Sequence, residues 1–193
     1  MAKTRATLLH RVRDRGDHAA WEEFFELYAP LMENHARASG LSRADAEEVR
    51  DQCLEVLARK LPDFEYRPGQ GSFQAWLFGI VRGKLIDRLR ARKVRAHETV
   101  ELSGLAGAEL APEEQWERAW RAEHLRHALR LLAKELSAER YHAFELLLVE
   151  ELSVAEVAAR TGLAPAQIYK LKAAALKRVR AILERLGTGP SPL

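Results

Sequence analysis

Apolar residues recur at spacings of three and four along almost the whole chain and nowhere alternate for long, so the pattern predicts an all-α protein. Leu8, Leu9 and Val12 mark a first helix, with Thr4 or Thr7 as its cap. Asp17 caps a second, whose stripe of Trp21, Phe24, Phe25, Tyr28, Leu31 and Met32 reads as core. Ser42-Arg43-Ala44-Asp45 opens a third helix that runs through Leu61 and turns Ala46, Val49, Cys53, Val56 and Leu57 inward. Its other face carries Asp45, Glu48, Asp51, Gln52 and Glu55. Such a stripe is ordinarily solvated, and its functional reading is a docking surface for a basic partner. After a turn-rich connector at 63–72 comes a long helix from Phe73 to about Arg92. It begins apolar with Phe73, Trp76, Leu77, Ile80 and Val81, and ends basic.

Periodicity lapses at 96–112, which reads as a flexible linker. Two small helical domains result: 1–95 and 113–187, with 188–193 as a tail. The second opens on a helix carrying Trp116, Trp120, Leu125, Ala128, Leu129 and Leu132, followed by one that Ser137 caps. Ser153-Val154-Ala155-Glu156 has the form of a capping box, with Leu152 and Val157 placed as a hydrophobic staple. Ala155, Ala158 and Ala159 leave room for a neighbouring helix. Gly162 suits the left-handed residue after a helix end, and Pro165 suits the first turn of the next. Two helices around a short glycine turn outline a helix-turn-helix. In the second of them Ile168, Leu171, Ala175, Val179, Ile182 and Leu186 form one apolar stripe. The opposite face offers Ala166, Tyr169, Lys170, Ala173 and Lys177, small and cationic groups of the kind a helix needs to lie in a major groove. The same face on an ordinary bundle helix would simply be solvated.

Charge sharpens the picture locally rather than in total. Net charge is only +3, yet Arg82, Lys84, Arg88, Arg90, Arg92, Lys93 and Arg95 face a single acid, Asp87, over one helical stretch. Aromatics beside dense cations suit single-stranded nucleic acid, so Lys84, Arg88, Arg92 and Lys93 join the DNA-binding candidates. The lone Cys53 excludes an internal disulfide, which favours a cytoplasmic setting, and its apolar neighbours make it a structural thiol. No apolar run approaches the roughly 20 residues that span a bilayer, and no signal-peptide core follows the first residues. His124, His127 and His142 lack companions at metal-ligand spacing and read as surface or half-buried residues. Neither a catalytic dyad nor a phosphate-binding loop is evident, because Gly69-Gln70-Gly71 lacks the lysine and its context. No enzyme activity, metal, cofactor or small-molecule substrate is expected.

Three stretches in this order resemble the extracytoplasmic-function group of bacterial sigma factors, in the sigma-70 family. They are Asp45-Ala46-Glu47-Glu48-Val49; Gly71-Ser72-Phe73-Gln74-Ala75-Trp76-Leu77 with Ile80 and Asp87-Arg88-Leu89-Arg90; and Leu152-Ser153-Val154-Ala155-Glu156-Val157-Ala158. The chain departs from the family's habit at Asp51-Gln52, at Gly83 where asparagine is usual, and at Gln167-Ile168-Tyr169-Lys170. The resemblance implies a region-two domain followed by a region-four domain. The acidic helix would dock on core RNA polymerase, the basic helix would hold the minus-ten element with an extruded base, and the recognition helix would read the minus-thirty-five element. Core polymerase, promoter DNA and an anti-sigma factor are the partners so implied. Two rivals remain open on the residues alone: a helix-turn-helix regulator that works without polymerase docking, and a helical nucleic-acid enzyme.

Overall fold

The structure, a computed structural model, describes residues 8–64, 72–96 and 112–186, with the side chains of all but 93–96. The expected Thr4 or Thr7 cap, most of the connector, nearly all of the linker and the tail lie outside these residues, as does the side chain of Lys93. Among the described residues every regular element is helical: α1 (Leu8–Arg11), α2 (His18–Ala38), α3 (Arg43–Lys60), α4 (Phe73–Ala96), α5 (Pro112–Glu135), α6 (Ala138–Leu148), α7 (Val154–Thr161) and α8 (Pro165–Arg185). They form two compact units, one comprising Leu8–Glu123 and the other beginning at His124.

The first unit is built on α2, α3 and α4. Asp17 caps α2 by accepting from the Ala20 amide at 2.9 Å, and Arg11 grips the same carboxylate through Nε at 2.9 Å and Nη2 at 2.8 Å. That pairing draws the Asp17 carboxyl below its usual range, with the amide of Ala20 adding to it. Phe24 and Tyr28 pack at 4.4 Å between centroids, and both rings meet Phe73 at the start of α4. Phe25 departs from the expected core stripe. It is 52% exposed, because a residue one step beyond Phe24 sits about 100° round the helix.

The division between units differs from the expected boundary at the linker. Trp116 and Trp120 belong to the aromatic core of the first unit: Trp120 lies 5.4 Å from Tyr28, and Trp116 lies 5.1 Å edge-on from His35 and 5.5 Å from Phe78. Glu113 adds a loose ion pair to Arg82 at 3.7 Å. The opening turns of α5 therefore complete a hydrophobic cluster that α2 and α4 leave open, and the change of unit falls within α5. Burial also holds the imidazole of His35 below its ordinary pKa.

In the second unit the helix ends follow their local chemistry. Ser137 Oγ accepts from the Arg140 amide at 3.4 Å, and the Ser153–Glu156 capping box is formed in both directions, at 3.3 Å and 2.8 Å. Gly162 ends α7 at φ +73°. Leu152 is half-buried and Val157 fully buried, whereas Ala155 and Ala159 face solvent and so leave no close helix approach on that side. His124 and His127 are buried, contrary to the surface or half-buried placement expected of them, while His142 is exposed. Arg178 of α8 holds Glu135 of α5 through Nε at 2.6 Å and through a second contact from Nη2 to Oε1.

Candidate nucleic-acid interface

The helix-turn-helix presents its surface as the apolar spacing requires. Ile168, Leu171, Ala175, Val179, Ile182 and Leu186 are all buried, which rolls the other side of α8 outward. Ala166, Tyr169, Lys170, Ala173 and Lys177 are exposed, Tyr169 to 62%. Pro165 occupies the first turn, where it has no amide to leave unpaired. Gln167 Oε1 accepts from the Ala164 amide at 2.9 Å, the half of a capping box that needs no side chain at Ala164. A helix fixed at its start, with alanines between lysines, can bring its backbone close to a duplex while the ammonium groups reach phosphates.

The acidic side of α3 divides in two. Asp51 and Glu55 are exposed, Gln52 is half-buried, and Gln52 Nε2 donates to Glu48 Oε1 at 3.2 Å. Arg50 spans Asp51 and Glu33 of α2, each at 2.9 Å, and so fixes the edge of this face. Asp45 is occupied within the fold. It receives Ser42 Oγ at 2.8 Å and Arg88 Nε at 2.7 Å, and Arg88 also reaches Glu48 at 2.8 Å. Ser42 first, and Arg88 next, hold the Asp45 carboxyl below the usual carboxylate range.

Arg88, expected among the cations facing nucleic acid, thus stitches α4 to α3 with its side chain only 19% exposed. Arg92 is exposed but donates through Nη1 to the Gly40 carbonyl at 3.0 Å, where the α2–α3 turn takes φ +89°. Lys84 is half-buried in an open groove of about 480 Å³ between α3 and α4. Lys60, Trp76, Gly79, Gly83 and Asp87 also line it. Gly79 and Gly83 leave this groove open without any internal need, since a methyl at either would meet nothing within 4 Å. Of the expected α4 cations whose side chains are described, Lys84 is the one that lines the groove.

One feature of the first unit escaped the sequence reading. Arg15, His18 and Trp21 from the start of α2 and the turn before it meet Ala58 and Arg59 of α3 around a cleft of about 440 Å³, with no acid among its lining residues. Its only sequence signal is a scatter of basic residues around one tryptophan, dispersed over two helices. Cys53 is buried, and burial pushes its thiol up to about 12. No grouping of three or more His, Cys, Asp or Glu suited to a metal ion occurs among the described residues, and none of their helices is long and apolar enough to cross a membrane.

Comparison with known proteins adds three findings. Residues 24–95 match the family model Sigma-70 region 2. The ECF RNA polymerase sigma factor RpoE of Cereibacter sphaeroides is 30% identical over 173 residues, covering 90% of this chain and 91% of that protein. Among solved structures, the sigma factor RpoE in a co-crystal with the anti-sigma factor NepR from Bartonella quintana shares 21% identity. That match covers 85% of this chain and 96% of the other at a TM-score of 0.33.

Proposed function

This chain belongs to the ECF RNA polymerase sigma factors of the sigma-70 family, and from that membership we propose how its surfaces divide the work of initiation. The protein directs core RNA polymerase to particular promoters and assists their melting. It acts in the cytoplasm as a specificity subunit that breaks and forms no covalent bonds. Glu48, Asp51, Gln52 and Glu55 are the face that docks on core polymerase, and Asp45 is its internal anchor through Arg88. Ala166, Tyr169, Lys170, Ala173 and Lys177 read the minus-thirty-five element. The α3–α4 groove at Lys84, with Arg92 and Lys93 on the same helix, takes the minus-ten strand once the duplex opens. An anti-sigma factor is the expected inhibitor, through one or more of these faces.

The observation that carries this reading is the sorting of α8: each apolar position is buried and each proposed DNA-facing position is exposed. The test is reconstitution with core polymerase and run-off transcription from a promoter library. Enrichment of templates sharing two spaced elements supports the assignment. Duplex binding without transcription would instead mark a regulator that works apart from polymerase.

A further inference from the structure

We propose that the cleft of Arg15, His18, Trp21 and Arg59 is a second single-strand subsite, in which a base of the melted promoter strand stacks on Trp21 while Arg15 and Arg59 neutralise the flanking phosphates. The inference rests on the promoter-melting role above and extends it beyond the α3–α4 groove. Its chemistry is that of sequence-tolerant single-strand binding, an aromatic face beside cations that track the backbone. Trp21 is half-buried and braced edge-on by Phe24 at 5.8 Å, so its ring is held in place rather than free to swing. Arg15, His18 and Arg59 are exposed, and neither arginine forms a salt bridge among the described residues.

Two of the nearby acids are engaged in the fold, while Glu22, beside Trp21, and Glu55, one turn before Arg59, stay exposed. Asp17 is committed to Arg11 at the α2 cap, with His18 beside it, and Asp14 Oδ1 accepts from the Gly16 amide at 2.8 Å. Arg59 Nε lies 3.4 Å from its own helix's Glu55 carbonyl, which orients the guanidinium without neutralising it. Lys60 lines the groove and Arg59 lines the cleft, so consecutive residues of α3 offer cations to both. Arg13 Nε, 3.4 Å from the Pro62 carbonyl, keeps the turn before α2 against the end of α3. Arg59 lies about 100° round α3 from Lys60, so a strand passing from the groove to the cleft has to round the end of that helix.

The test uses the full chain bound to core polymerase, on forked templates cut from a promoter recovered by run-off transcription. One fork's unpaired non-template strand stops after the minus-ten element; the other's runs about six nucleotides further, within the site sizes of single-strand-binding folds. The Arg15→Ala/Arg59→Ala variant should bind the longer fork about tenfold more weakly than wild type and the shorter fork equally well, with a salt slope on the longer fork shallower by about 1.4. Carried singly at each added position, 2-aminopurine should be quenched at one of them. That quench should persist in Trp21→Phe and vanish in Trp21→Leu. Unchanged affinity for the longer fork, equal loss on both forks, or no quenched position would each overturn the subsite. If the wild-type complex binds neither fork, the promoter-melting reading itself fails.

Discussion

Asp45 and Arg88 show how a single pair can change role between pattern and fold. Spacing along α3 places Asp45 on the outward acidic face, and composition places Arg88 in a cationic run. The two lie 43 residues apart, however, and only the packing of α4 against α3 brings them together. Because the folded Asp45 carboxyl is held below its unfolded value, its contribution is present above that value, about pH 3.9, and is lost as pH falls through the folded one. Asp45→Asn should therefore lower stability at neutral pH, with the gap to wild type closing under acid; denaturant midpoints from pH 7 to pH 2.5 measure it. A constant gap across that range would remove the carboxylate from the explanation. Arg88→Ala should cost about 1 kcal/mol by the same assay, the scale of a partly exposed charge-assisted contact. Cys53 supplies a simpler check. A buried thiol raised to about 12 should resist alkylation at pH 8 until denaturant is added, and fast labelling of the native chain would contradict its burial.

At the scale of elements, α7 and α8 were legible from sequence because every signal they use is local. The Ser153–Glu156 box, Gly162 and Pro165 each act within one turn, and the α8 stripe needs only helical periodicity. Gly162→Ala should destabilise the protein by about 1 kcal/mol, since φ +73° strains any side-chain-bearing residue. Lys170→Ala/Lys177→Ala should weaken promoter binding and flatten its salt dependence by nearly two log units per log unit of salt, with the chain's melting temperature unmoved. An unchanged slope would remove both lysines from the interface. By contrast, α4 was legible as a helix but not as a surface. Arg88 and Arg92 find acceptors on α3 and at Gly40, while Lys84 lines the groove. Nor did the lapse of periodicity at 96–112 mark the change of unit, because Trp116 and Trp120 answer to rings on α2 and α4 that lie far away in the chain. The cleft at Trp21 stayed hidden for the same reason.

Over the whole molecule a net charge of +3 conceals an acidic and a basic set of surfaces, which the proposed function uses together. Docking on polymerase converts later DNA contacts into intramolecular ones, at effective concentrations approaching about a millimolar for short flexible connections. Under the proposed assignment, modest affinity at α8 and in the α4 groove would then suffice for a stable complex. The arrangement predicts separable failures in a run-off titration of factor against fixed core polymerase. Asp51→Lys/Glu55→Lys reverses charge on exposed docking positions, so the half-maximal factor concentration should rise by about tenfold or more while the plateau holds, because a saturated complex still carries intact DNA faces. Lys170→Ala/Lys177→Ala should leave that midpoint in place and lower the plateau at raised salt, where promoter contact becomes limiting. If the acidic-face variant instead lost plateau at an unchanged midpoint, α3 would be acting after assembly, and docking would have to be sought on another face of the first unit.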